Sequence, residues 1–462
     1  MTSPQHPAPP APGYRKILRV ALPMVASMAS ITVMQFTDRV FLGRYSMQTL
    51  AGSLSGGMSS FVLAAFFLGV ASYVNVFVAQ FDGAARPERI GSALWQGIWF
   101  SLLAGACMTL FSLAGGPLFA LAGHSPDIQA LESEYFAILC RGAVLGITGM
   151  TLSCFFSGRG MTRPVMLVNM AGALVNIPLD YALIFGAWGL PELGIRGAGY
   201  ATVAGWGVTV VLFAALIMRP RHERLYRVLS AWRPDKGLFL RLMRFGLPCG
   251  AQFFMDVFAF TAFALVVGRL GDAALAATNM VITLNHFTFM PMVGMNIATE
   301  TLVGHAMGAG HPGHAVGVAR RSLHLNLIWG GAVALWFVVW PGPLLDLFRP
   351  SALSPEAYAP MLETGRVLLL FVAGYTLLDA VLMTYQGALK GTGDTAFVMG
   401  LYAIMSFGVL AVPVYVVVEV LHWGLYPAWG VLFAHITGLA AGTWWRFASG
   451  RWRGREVIDR TN

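Results

Sequence analysis

The chain has 462 residues, 57% of them hydrophobic and 11% charged, where a soluble domain carries about 25% charged residues. Apolar runs of 20 or more residues recur along its whole length. At about 1.5 Å per helical residue, each can cross a hydrocarbon core roughly 30 Å thick, which excludes a soluble fold. The net charge of +9 resides in short connectors between the apolar runs, where it reads as a topology signal and not as a nucleic-acid surface.

In chain order, a polar, Pro-rich segment from Met1 to Gly13 leads into an apolar run as long as a membrane span, so no cleaved signal segment is expected. Spans are predicted at 17–42, 53–80, 91–116, 132–156, 163–188, 196–218, 244–267, 276–307, 317–341, 362–388, 395–418 and 427–449, making an all-α integral membrane protein of twelve transmembrane helices. Bases cluster in alternate connectors: Arg15, Lys16 and Arg19; Arg86 and Arg89; Arg159 and Arg163; the stretch Arg219 to Arg244; Arg320 and Arg321; Lys390; and Arg446 to Arg460. The other connectors hold few bases, such as Arg196 and Arg349, beside Asp127, Glu132, Glu134, Glu356 and Glu363. The positive-inside rule then places both termini in the cytoplasm.

The two halves repeat. At a constant offset of 225, Pro23/Pro248, Gly43/Gly268, Arg44/Arg269, Leu50/Leu275, Ala51/Ala276, Gly69/Gly294, Gly83/Gly308, Ala84/Ala309 and Pro87/Pro312 coincide. The parse is a tail at 1–16, an N-lobe at 17–218, a basic linker at 219–243, a C-lobe at 244–449 and a basic tail at 450–462, with two pseudo-symmetric six-helix lobes. Six spans return the chain to its starting side, so the repeats are parallel, and two such lobes rocking about a central cavity suggest alternating access.

Ionisable groups inside a span cost about 2.5–3.5 kcal/mol each on insertion scales, so the few present point to function. Asp38 in the first span, Asp180 in the fifth and Thr202 in the sixth all fall in the outer half. Asn176 and Asp180 share a helix face at i, i+4. Together they form an all-oxygen set suited to Na⁺ or a shared proton. Asp256 in the seventh span and Asp379 in the tenth lie near mid-depth, with Tyr375 one turn before Asp379, implying a second carboxylate pair in the C-lobe. The plainer alternatives are that these acids cap broken helices or pair with Arg39 or Arg141, and that Tyr375 is packing. Arg141 either snorkels or pairs with Glu134. Glu300, His305, His311 and His314 read as solvated, not metal-binding, and Cys107, Cys140, Cys154 and Cys249 lack disulfide or zinc spacing. Pro23 either caps the start of its helix or frees a carbonyl and permits a bend. Walker A, HExxH and GxSxG motifs are absent from the sequence, which leaves an ion gradient as the energy source and gives no sign of an enzyme.

The segments ALP at 21–23, TDRVFLGR at 37–44, FVAQFDGA at 77–84, NIPLDYALIFG at 176–186, LGIRGAGYAT at 193–202, LVGHAMGAG at 302–310 and LKGTGDT at 389–395 resemble the multidrug and toxic compound extrusion family, and its NorM-like branch, from Ala21 to about Arg446. The resemblance implies a monomeric antiporter of the bacterial inner membrane that exports amphiphilic, often cationic, compounds in exchange for Na⁺ or H⁺ and needs no cofactor beyond that coupling ion. It implies an N-lobe cation site of Asp38, Asn176, Asp180 and Thr202, a bend at Pro23 linked to that site, and a C-lobe site of Asp256 and Asp379 beside Tyr375. The NorM-like branch commonly has Glu where this chain has Asp256, one methylene shorter. A flippase for lipid-linked precursors would require a buried basic cluster, whereas the sequence offers acids. An uncoupled channel would need a constriction but no gradient.

Overall fold

A computed structural model of the chain describes residues 12–121, 123–348 and 355–459. Residues 1–11 of the N-terminal tail, Arg349 and Arg460 lie outside the described residues, as does the side chain of Glu356.

Every regular element among the described residues is helical, and twelve are long: α1 (Tyr14–Tyr45), α2 (Met47–Gly83), α3 (Glu88–Ala120), α4 (Pro126–Ser157), α5 (Thr162–Phe185), α6 (Ile195–Ile217), α7 (Lys236–Gly268), α8 (Asp272–Gly308), α9 (Pro312–Val339), α10 (Pro355–Thr392), α11 (Thr395–Val420) and α12 (Leu425–Ala448). Ten of these are long and apolar enough to cross a bilayer by length and composition, and α8 and α12 complete the twelve expected spans. Helices suit that solvent because every backbone polar group is satisfied within its own segment.

Several helices run past their expected ends. The structure begins α7 at Lys236, not near residue 244, because Asp235 caps it: the Leu238 amide donates to Asp235 Oδ1 at 3.0 Å. Arg241 and Arg244 therefore stand on a helix and not in a loop. Likewise α4 begins at Pro126, so Glu132, expected in a connector, is helical and fully buried, accepting from the Ser55 hydroxyl and paired with His124 Nδ1 at 2.8 Å. In α11 the α-helical Thr395–Ala403 gives way to π-helical turns at Ile404–Ala411 and Val416–Val420. Pro413 lies between them and lacks the N–H that a regular ladder needs.

By internal packing the chain forms two compact units. One holds residues 22–254, 307–310 and 457–459; the other holds 12–21, 255–306 and 311–456. The division falls within α1 just before Pro23 and within α7 at residue 254. In the first unit, Val70, Phe100, Ala104, Phe136 and Ile147 form one apolar core, and Leu42, Tyr135, Ile184, Ile195 and Ala198 a second around the ends of α1, α5 and α6. The second unit packs around Phe263, Phe337, Leu368, Tyr375 and Trp429. Small residues set the helix spacing, as expected where lipid removes any hydrophobic drive between helices. A Cβ on Gly142 would meet Val203 of α6 at 2.2 Å.

The linker between the halves contains a short helix, Pro220–Tyr226, and is docked on the first unit. Indole N–H groups of Trp95 and Trp99 donate to the carbonyls of Val228 (2.5 Å) and Trp232 (3.0 Å). The Arg159 guanidinium lies 3.8 Å from the Phe155 ring centroid and 4.5 Å from that of Tyr226, a cation–π clamp on the linker helix.

Candidate functional site

The segment NIPLDYALIFG is the second half of α5 and ends at Gly186, whose left-handed φ of 69° stops the helix. The next motif starts α6 at Gly194, also at positive φ, and puts Gly197 so close to α5 that a Cβ would meet the Leu183 carbonyl oxygen at 2.5 Å. One helical turn beyond Gly205, α6 still touches α5: a Cβ on Gly172 would meet Thr209 at 2.6 Å. A Cβ on Gly205 itself would contact Asn176 at 3.2 Å. Glycines thus seat α6 along the polar face of α5 and bring Thr202 to the level of Asp180 and Asn176.

The geometry gathers the expected N-lobe residues. Asp180 is fully buried and Asn176 is 1% exposed, while Asp38, on α1, and Thr202 are partly buried. Asp38 and Asp180 interact electrostatically, and the Asn176 amide faces the Asp180 carboxylate without a hydrogen bond of normal length. Both carboxylate oxygens of Asp180, the side-chain oxygen and nitrogen of Asn176, and Oδ1 of Asp38 are buried with no hydrogen-bond partner. Orphaned buried polar atoms are costly, about 1–3 kcal/mol each, so this cluster on α1 and α5 is the candidate site. Four of these five atoms are oxygens, the donor set of a hard cation. The sequence reading missed Tyr135: from α4 its buried hydroxyl faces Asp38 and Thr202 and lies within electrostatic reach of Asp180. Pro23 lies inside α1, which continues as a helix through it, so it does not cap the helix start.

In the second half, Asp379 is 6% and Tyr375 1% exposed on α10, and Asp256 on α7 is partly buried. The two carboxylates interact electrostatically, and Tyr375 lies within reach of Asp379. Sequence reading did not identify Tyr402 of α11, fully buried and within electrostatic reach of both acids. Nor did it identify Lys390, whose charge reaches Asp256. The Tyr402 oxygen accepts from Gln386 Nε2 at 3.0 Å, and Gln386 Oε1 accepts from Asn296 Nδ2 at 3.3 Å. Amides and tyrosines scattered in apolar helices carry no spacing signal; the helix crossing alone joins them.

The remaining candidates are structural. Glu134 pairs with Arg196, so Arg141 is not its partner; Arg141 is exposed and donates from Nε to the Ser112 hydroxyl at 3.3 Å. Glu300, expected to be solvated, is 8% exposed and has a partner. All four cysteines are free thiols, three of them buried. Outside the spans, burial first and the nearby Arg159 guanidinium second hold the His222 imidazole below its usual pKa, and its Nδ1–H donates to the Leu216 carbonyl at 3.0 Å.

Twelve long helices in a repeated arrangement, with paired acids buried among them, define a multi-pass membrane transporter. The MatE family model matches twice, at residues 23–182 and 248–417, so each half of the internal repeat carries its own copy. The chain is 30% identical to a probable multidrug resistance protein NorM of Pseudomonas aeruginosa, over 94% of this chain and 86% of that one. It is 27% identical to a probable multidrug resistance protein NorM of Thermotoga maritima, over 96% and 94%. Among solved structures, an outward-facing multidrug resistance MATE family transporter of the MOP superfamily superposes with a TM-score of 0.86 at 19% identity, covering 96% of this chain and 97% of that one. A MOP superfamily transporter from Pyrococcus furiosus superposes with a TM-score of 0.85 at 20% identity and the same coverage. This chain belongs to the MatE family; it is a transporter and not an enzyme.

Proposed function

We propose that the chain exports amphiphilic, cationic organic compounds from the cytoplasm in exchange for Na⁺ or H⁺, with both termini cytoplasmic. The observation that carries this reading is the set of orphaned oxygens on Asp38, Asn176 and Asp180, joined by Thr202 and Tyr135. The NorM names of its relatives support a multidrug cargo, and the two family matches support two lobes that alternate access.

The coupling follows from charge. A buried carboxylate pair is satisfied by a proton, by Na⁺ or by a cationic guest, but two cations compete for the same negative charge. An ion arriving from outside favours the lobe arrangement that binds it better, by its differential affinity alone, and the guest is released. The Asp256–Asp379 pair with Tyr375 forms the second ion- or guest-binding site. Pro23, beside the division of the compact units within α1, is where that helix bends as the first site fills.

The test is dye efflux from reconstituted vesicles under a Na⁺ gradient and a pH gradient imposed separately. Asp38→Asn is expected to reduce gradient-driven efflux to background while the protein still folds. Full efflux in that variant overturns the assignment, and efflux that persists with both gradients collapsed would identify a channel.

A further inference from the structure

On the surface of the first unit a groove runs along α4 between α3 and α6. Close helix contacts form its flanks: a Cβ on Gly105 of α3 would meet Val144 at 2.4 Å, and one on Gly142 would meet Val203 of α6 at 2.2 Å. The contact with α2, through Gly56 and the Glu132 carbonyl, falls on the opposite face of α4 from Arg141 at 3.6 residues per turn. Between α3 and α6 lie two adjoining cavities of about 250 and 320 Å³ that share Ile138, Arg141 and Tyr200. The mouth is polar, with Ser133 and the ion pair of Glu134 and Arg196. Further along both helices the walls are Val144, Leu145 and Val203.

Arg141 stands where the groove changes from polar to apolar. Its Nε donates to the Ser112 hydroxyl oxygen at 3.3 Å, and that hydroxyl gives its own hydrogen to the Thr109 carbonyl at 2.7 Å, so the guanidinium is held toward the end of α3. Its two terminal nitrogens have no hydrogen-bond partner among the described residues. The acid lining the groove, Glu134, is already taken by Arg196 through two hydrogen bonds. The groove therefore carries one unpaired positive charge, on an exposed side chain, where its walls turn apolar.

We propose that this groove binds an anionic phospholipid, its phosphate on the terminal nitrogens of Arg141 and an acyl chain along Val144, Leu145 and Val203. A guanidinium presents its donors as a planar fork that fits two phosphate oxygens. A lipid headgroup satisfies a cation that faces a bilayer, where hydrocarbon offers it nothing. The unpaired charge selects a lipid of net negative charge, since a zwitterionic head brings a cation of its own beside Arg141 and Arg196. Tyr200, 50% exposed, stands at the same polar–apolar boundary, the place tyrosines favour at a membrane interface. Asp38 and Asp180 line neither cavity, so the site stands whichever ion drives transport.

The test is made on the full chain in phosphatidylcholine vesicles holding a trace of phosphatidylglycerol with a photoactivatable group on one acyl chain. Irradiation and peptide mapping read where the lipid attaches. Labelling is expected at residues 142–145 and around Val203, competed by unlabelled phosphatidylglycerol. It should fall about tenfold in Arg141→Gln, as for losing a hydrogen bond to a charged group, and be about tenfold weaker with a photoactivatable phosphatidylcholine. Equal labelling by the two probes, or by one probe in Arg141→Gln and the unaltered chain, would indicate lipid that merely surrounds the protein and overturns the proposal. Competition by inorganic phosphate would indicate a site for soluble anions and overturns it as well. If Arg141→Gln does not fold, the two probes on the unaltered chain decide.

Discussion

Asp180 and Asn176 in the first half keep every side-chain polar atom buried and unpartnered. Asp256 and Asp379 in the second half sit beside a tyrosine whose oxygen already belongs to a chain of amides. Both halves descend from one repeat and both bury an acid pair against a tyrosine. In the first half that tyrosine is Tyr135 of α4; in the second, Tyr375 of the counterpart helix α10 is joined by Tyr402 of α11. The acids are not repeat counterparts: at the offset of 225 Asp38 falls on Phe263, and Asp180 lies on α5 whereas Asp379 lies on α10. The first pair has buried oxygens with no partner, and the second lies within electrostatic reach of Lys390, Tyr375 and Tyr402.

The most direct test of this contrast is Asp180→Asn, which is also expected to abolish transport. Neutralising an orphaned buried carboxylate is expected to stabilise the first half by about 1–3 kcal/mol in detergent. A fall in melting temperature would show that Asp180 has a structural partner after all. The opposite sign is expected at Asp394, fully buried in the second unit and gripped by Arg446 Nε at 2.6 Å and Arg455 at 3.2 Å. Asp394→Asn leaves two arginines facing a neutral amide and is expected to cost about 3–5 kcal/mol, read as an earlier melting transition.

The smallest effect concerns pH. The folded pKa of His222 is depressed, so unfolded chains bind the extra proton: its contribution is fully present above the usual histidine value of 6.5 and fades as pH falls through the lower folded value. Limited proteolysis of the linker should therefore accelerate below pH 6.5, and His222→Gln should remove that dependence. An unchanged proteolysis rate from pH 8 to about 5 would show that His222 does not hold the linker.

Much of the first site was legible because membrane insertion makes Asp38 and Asp180 conspicuous and because i, i+4 spacing pairs Asn176 with Asp180 on one face. Charge density misled at the edges. Glu132 and Glu134 count by charge with the connector although the expected span starts at 132, which hid the fully buried Glu132; Tyr135, inside that span, carries no spacing signal of its own. Arg241 and Arg244 similarly disguised the start of α7. Asn296, Gln386 and Tyr402 were not legible at all, since their meaning depends on contacts between helices up to 90 residues apart.

The paired indoles of Trp95 and Trp99 stand four residues apart and hold linker carbonyls that are also four residues apart. The connection between the halves is thus clipped along its length to α3 and does not behave as slack string. An affinity tag or fluorescent domain spliced between Val228 and Trp232 would prise open both clips, so a reporter of lobe movement belongs elsewhere on the molecule.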